Sequence, residues 1–196
     1  MAVPSHPPIL ADKIALRRHA RELRSAFVDS LAPAERDQLE RRLADVLEPL
    51  LARSRVAGGY APLPNEISPL PALRSAAASG TVIAYPAFAD HQGAFRFLAG
   101  EPVETGPWAV LQPAADAPHV FPDLVLMPVV AADRSGTRLG QGKGHYDRVA
   151  AALREHGALL IGVGWPVQML DRAIPADPWD VPMDGFASPD GLEMFR

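Results

Sequence analysis

Two spacings alternate along this chain. From Asp12, read as an N-cap, to about Val28, Leu16, Ala20, Leu23 and Phe27 recur every three or four residues and predict a helix. A second helix is predicted from about Pro33 to Ala52, where Leu39, Leu43, Val46, Leu47 and Leu50 share one face and Pro49 should end or kink it. Short apolar runs at Arg55–Tyr60, Thr81–Tyr85, Leu124–Val130 and Ala158–Gly164 read as strands. An alanine-rich helix stopped by Gly80 is predicted at Pro69–Ser79, and another helix at His145–His156. Ala94–Leu98 alternates like a hairpin or edge strand. Gly100–Phe121 reads as an irregular proline-rich segment, and the tail beyond Trp165 as an extended one. Residues 1–11 read as a disordered lead.

Apolar strands alternating with helices predict an α/β fold, with a parallel sheet covered on both faces. In such sheets ligands collect at the carboxyl ends of the strands. Glu66, the glycine-rich loop after Leu124–Val130 and the Trp165–Gln168 turn all follow strands, so they should converge on one rim. At 196 residues, a single domain over 1–196 is expected. A formal charge of −4 argues against a nucleic-acid coat or an anionic-membrane binder. No cysteine is present, which removes disulfides, thiolate nucleophiles and cysteine-ligated zinc, and suits a reducing cytoplasm. No signal peptide is read at Met1–Leu10, and no apolar run approaches the roughly 18 residues of a membrane span. These features predict a cytoplasmic monomer acting on small molecules.

The chemistry concentrates in Arg138-Leu139-Gly140-Gln141-Gly142-Lys143-Gly144-His145-Tyr146-Asp147-Arg148. Glycines let a backbone turn its N–H groups toward an anion, and the helix N-terminus that follows adds partial positive charge. The loop is neither a Walker A sequence nor G-x-G-x-x-G. Its readings are a phosphate cradle or merely a tight connection; Arg138 and Lys143 favour the cradle. Asp147 either compensates the helix dipole or ligates magnesium beside a phosphate, with Asp180 or Asp184 as a second carboxylate. Lys13, Arg17, Arg21 and Arg24, spaced by four, four and three, form by default a solvated helix face. The functional alternative has Lys13 and Arg17 reaching a polyphosphate. Glu66 is either an ordinary loop acid or a carboxylate that recognises a polar ring.

Met127-Pro128, Asp133, Gly136, Arg138-Leu139-Gly140, Gly142, Gly144 and Tyr146-Asp147-Arg148 together closely resemble the signature of the 5-formyltetrahydrofolate cyclo-ligase family. Lys13–Arg17, Asn65-Glu66-Ile67, Trp165 to Gln168 and the pair Asp180 and Asp184 extend the resemblance over most of the chain. His145 stands where the family usually has Tyr or Phe.

The resemblance implies a three-layer α/β sandwich with a mostly parallel sheet, similar to the NagB/RpiA/CoA-transferase group. It also implies ATP- and magnesium-dependent closure of 5-formyltetrahydrofolate to 5,10-methenyltetrahydrofolate, with ATP as co-substrate. Lys13, Arg17 and the run Arg138, Leu139, Gly140, Gln141, Gly142, Lys143, Gly144, His145 and Tyr146 would bind ATP. Within that run Arg138, Lys143, His145 and Tyr146 would be catalytic. Ala61, Glu66, Trp108 and Gln168 would contact the folate, and Asp147 and Asp180 would hold Mg2+. A non-catalytic folate- or nucleotide-binding regulator on the same fold is the alternative.

Overall fold

The computed structural model describes residues 8–91, 94–142 and 144–195, and leaves aside the side chains of 8–12 and of Trp108. Residues 1–7 of the expected lead lie outside that description. The first helix, α1 (Pro8–Ser30), already runs through Asp12, so Asp12 is not its N-cap. Proline fits the first helical turn because its missing N–H would have no helical partner there. In α2 (Pro33–Leu51), Pro49 lies in the last turn, and the helix ends two residues beyond it. Leu43, Leu47 and Leu51, four apart, are the buried face of α2.

The chain then alternates as the apolar runs predict. β1 (Val56–Gly58), α3 (Leu70–Ala78), β2 (Val82–Ala87) and β3 (Arg96–Ala99) are followed by the two-residue strands β4 (Glu104–Thr105) and β5 (Leu111–Gln112). Next come β6 (Leu124–Pro128), β7 (Ala131–Asp133), β8 (Arg138–Leu139), α4 (His145–Glu155) and β9 (Leu159–Val163). β10 (Met169–Leu170), β11 (Gly185–Ser188) and β12 (Gly191–Met194) complete the order. Seven strands form one sheet in the order β12-β11-β9-β6-β1-β2-β3. The five from β11 to β2 are parallel, and the antiparallel β12 and β3 close the edges. The tail read as extended thus contributes two strands of this sheet.

Side-chain alternation along the central strands builds two cores. Leu124 and Leu126 of β6 face α2 and α3, together with Ile161, Val163 and Ala187. Val125 and Met127 face the other way, with Leu160, Phe186 and the α4 residues Ala150 and Leu153. Because successive strand residues point to opposite faces, one apolar run supplies both layers. A third, smaller cluster joins Leu16 and Ala20 of α1 to Val130, Ala131, Leu139 and Ile174. It seats α1 beside a small second sheet of order β10-β7-β8, just beyond the carboxyl end of β6. Among the described residues, no helix is long and apolar enough to cross a membrane.

The turn between β7 and β8 aims Arg138. Asp133, 3% exposed, accepts hydrogen bonds at Oδ1 from the Ser135 and Thr137 N–H groups and the Ser135 hydroxyl. Its Oδ2 accepts the Ile174 N–H at 2.6 Å. Gly136 has φ +82°, and a Cβ there would lie 2.5 Å from the Met183 carbonyl oxygen, so the position requires glycine. Replacing Asp133 with Ala would strand several buried donors, and we expect a loss of about 2–4 kcal/mol in urea unfolding. A loss under about 0.5 kcal/mol, the range of an ordinary surface substitution, would mean the turn holds without its carboxylate.

Candidate active site

The basic stripe of α1 is only partly solvated: Lys13 and Arg24 are buried, Arg17 is half-buried and Arg21 is exposed. Its four members lie on one side of the helix, and that side runs along the glycine loop. Lys13, 5% exposed, donates to Asp177 Oδ2 at 2.6 Å and to Asp180 Oδ2 at 2.8 Å. Arg17 Nε donates to the Gly140 carbonyl at 3.2 Å. Arg21 donates to the backbone and side-chain oxygens of Gln141 at 3.1 and 3.0 Å. Arg24, 7% exposed, faces Glu66 Oε1 at 3.7 Å. At 1.5 Å rise per residue, Lys13 and Arg24 stand about 16 Å apart along the axis. The helix therefore sets an order: Asp177 and Asp180 at one end, the glycine loop in the middle, Glu66 at the other.

Lys13, Arg17, Glu66, Gly140, Gln141, Asp177 and Asp180 border one cavity of about 320 Å³, within the range of small-molecule sites, whereas Arg21 and Arg24 stand behind its wall. Of the residues picked from the sequence, Lys13, Arg17, Ala61, Glu66, Arg138, Gly140, Gln141, Gly142, Gly144, His145, Tyr146, Asp147 and Asp180 line it. Leu139 does not; its side chain is buried in the α1 cluster, as strand alternation with Arg138 requires. Lys143 lies outside the described residues. Trp108 sits in the single turn Pro107–Ala109.

Two candidates lie off the cavity wall. Gln168, expected against the folate, is buried and absent from the cavity wall. It donates to the Val129 and Val130 carbonyls and accepts the Trp165 N–H, joining the β6–β7 connection to the turn after β9. Asp184, considered as a partner of Asp180, instead accepts from Arg154 at 3.0 Å and from the Leu160 N–H at 2.8 Å. The carboxylate beside Asp180 is Asp177. Both acids lie a few residues from Asp180, so spacing could not separate them. The cavity residues Pro86 and Phe88 were also missed, although they lie at the carboxyl end of a predicted strand, where ligands gather.

Charge in the cavity is compensated internally. Arg138 donates through one guanidinium nitrogen to Asp147 Oδ1 and through another to the Val181 carbonyl. Burial disfavours the charged form of Lys13, but hydrogen bonds and attraction from Asp177 and Asp180 outweigh it and raise its pKa. For Asp180 burial pushes the pKa up; the Lys13 hydrogen bond, the Asp177 N–H and the charges of Lys13 and Arg138 pull it lower overall. Burial lowers the pKa of Arg24, with Glu66 opposing and Arg21 adding to the shift.

Tyr146 differs from these paired groups. Its hydroxyl is buried without a hydrogen-bond partner among the described residues. Burial, and then the Glu66 charge, raise its pKa, so it stays a protonated donor. Its ring packs edge-on against Phe95 at 5.0 Å, while His145 packs against Phe88 at 4.9 Å.

Gly144, at φ 66°, caps α4 in the left-handed region, and it lines the cavity together with His145, Tyr146 and Asp147 of that helix's first turn. Glycine backbone, a helix N-terminus and three lining cations suit a polyphosphate. Asp147 and Asp180 suit a magnesium ion that completes its shell with phosphate oxygens and water. No group of three or more His, Cys, Asp or Glu among the described residues could hold a metal without such a ligand.

Comparison with known proteins shows the family and the fold. The model of the 5-formyltetrahydrofolate cyclo-ligase family matches residues 9–189. The 5-formyltetrahydrofolate cyclo-ligase of Haemophilus influenzae is 29% identical over 92 residues, covering 45% of this chain and 49% of the relative. That of Mycolicibacterium smegmatis is 41% identical over 86 residues, covering 42% and 39%. The chain thus spans about half the length of the curated relatives it matches, or less. A solved structure of Aquifex aeolicus 5,10-methenyltetrahydrofolate synthetase superposes with a TM-score of 0.78 at 25% identity, covering 94% of this chain and 93% of the other.

The Lys13–Asp180 pair has a pH signature. Because the folded pKa of Asp180 lies below its unfolded value, its contribution is complete above that unfolded value and is lost as pH falls through the folded one. In chelator-treated protein, the stability gap between wild type and Asp180→Asn should therefore be constant near neutrality and shrink below about pH 4. Urea unfolding at several pH values measures this. A gap unchanged down to about pH 2 would contradict the ion pair.

Proposed function

This chain belongs to the 5-formyltetrahydrofolate cyclo-ligase family, and we propose that it uses ATP to close 5-formyltetrahydrofolate to 5,10-methenyltetrahydrofolate, releasing ADP and phosphate. One observation carries the reading: Lys13 and Arg17, the glycine loop, Asp147, Asp180 and Glu66 line a single cavity. Its proposed partners are these small molecules, bound by a monomer. The cysteine-free composition suits the cytoplasm.

The chemical problem is an amide-like formyl oxygen, a weak nucleophile whose departure as hydroxide would be slow. Transfer of the γ-phosphoryl group to that oxygen turns it into phosphate, a leaving group, when the neighbouring folate nitrogen attacks the formyl carbon. Such a step asks the protein for alignment and charge stabilisation rather than covalent participation. Glu66 would hold the polar edge of the folate ring; its Oε2 already accepts the Leu63 N–H at 3.0 Å, which fixes the carboxylate. Lys13 and Arg17 would bind the phosphate chain, and the loop amides would wrap it. Arg138 and Lys143 would follow the charge on the phosphoryl group in flight. The Tyr146 hydroxyl, protonated and without a hydrogen-bond partner among the described residues, would donate to the reacting oxygen, beside His145. Magnesium held by Asp147 and Asp180 would neutralise phosphate charge.

Given ATP, magnesium and 5-formyltetrahydrofolate, the purified protein should develop the near-ultraviolet absorbance of the methenyl product. Absence of product despite binding of both substrates would favour the regulator instead. Removing a charged donor that strengthens in the transition state costs about 2–4 kcal/mol, so Lys143→Ala and Arg17→Ala should each turn over about a hundredfold or more slowly. Near-normal rates in both would reduce the loop to a structural connection.

A further inference from the structure

We propose that Trp179 is the stacking platform for the adenine base of bound ATP, an assignment that rests on the nucleotide reading above. Trp179 is the most exposed of the large apolar side chains among the described residues, at 70%, yet it borders the cavity. An indole left in water on a cavity rim is unspent apolar surface, and a flat heterocycle is the ligand shape it suits best.

Its mounting is rigid. The Asp180 N–H donates to the Asp177 carbonyl at 3.0 Å, which closes a four-residue turn with Pro178 and Trp179 at its centre. Proline at the second position fixes φ there. The Asp177 N–H also donates to Asp180 Oδ2 at 2.9 Å, and Lys13 ties both carboxylates to α1. A stacking surface held this way loses little freedom when a base settles on it.

The order imposed by α1 selects the base over the folate as occupant. Glu66 and Arg24 mark one end, about 16 Å along the helix from Lys13, Asp177 and Asp180. The γ-phosphate must meet the formyl group, so the phosphate chain runs from the glycine loop away from Glu66. The nucleoside then emerges at the Lys13 end, where the Asp177–Asp180 turn presents Trp179.

Calorimetric titration of the full chain with Mg-ATP, and separately with magnesium tripolyphosphate, tests the assignment in wild type, Trp179→Ala and Trp179→Phe. Loss of a base stack should weaken Mg-ATP binding about tenfold or more in Trp179→Ala. Trp179→Phe should restore most of the affinity. All three proteins should bind tripolyphosphate, which has no base, equally well. Wild-type affinity for Mg-ATP in Trp179→Ala would overturn the assignment, as would an equal loss for tripolyphosphate, which would place the effect on the phosphate groups. Wild type that binds neither ligand would overturn the nucleotide reading itself, and the platform with it.

Discussion

The candidate site depends on one set of long-range contacts: the basic face of α1 against the glycine loop and the Asp177–Asp180 turn. Lys13 reaches acids 164 and 167 residues away in sequence, and Arg17 a carbonyl 123 away. Nothing local would bring these groups together. Apolar residues beside that stripe on the same helix make it possible, because Leu16 and Ala20 bury against Val130, Ala131 and Leu139 at the end of the central strand. Hydrophobic burial positions α1, and its charges then define the cavity wall. A charge as deeply buried as Lys13 is tolerable only because two carboxylates meet it.

The same contacts pair most of the charges in and beside the cavity with one another. Lys13 is matched by Asp177 and Asp180, Arg138 by Asp147, and Arg24 by Glu66. Under the proposed reading, a metal–nucleotide complex fits such a site better than either component alone. Phosphates would take over the cations while the metal takes over the carboxylates, so no buried charge would be left unmatched. The Tyr146 hydroxyl is a donor with no hydrogen-bond partner among the described residues.

Much of the fold was legible because β6, β9 and the face of α2 combine strong periodicity with full burial. The run from Leu124 onward serves two cores at once, which only a strand covered on both sides requires. What escaped was set by contacts rather than pattern. β7, β8 and β10 have two or three residues each, too few for a period to register. β11 and β12 sit in a proline-punctuated tail; β11 takes its place in the sheet by pairing with β9, and β12 by pairing with β11. The glycine loop and Glu66 were legible as chemistry, since their residue types are unusual for packing. Asp177 and Asp184 were not separable by spacing; the choice is made by which one faces Lys13 and which one meets Arg154. Gln168 kept its place in the motif, but its amide is consumed by backbone groups next to the site. The α1 stripe looked like a solvated face because helical spacing reports which residues share a side, not what that side meets.

The most direct measurement is a crystal structure of the chain with magnesium and a non-hydrolysable ATP analogue. The account predicts the triphosphate between Lys13 and Arg17 on one side and residues 138–146 on the other, with Asp147 and Asp180 turned to the metal. A triphosphate bound elsewhere, with Lys13 still locked to Asp177 and Asp180 and the glycine loop facing bulk water, would contradict it.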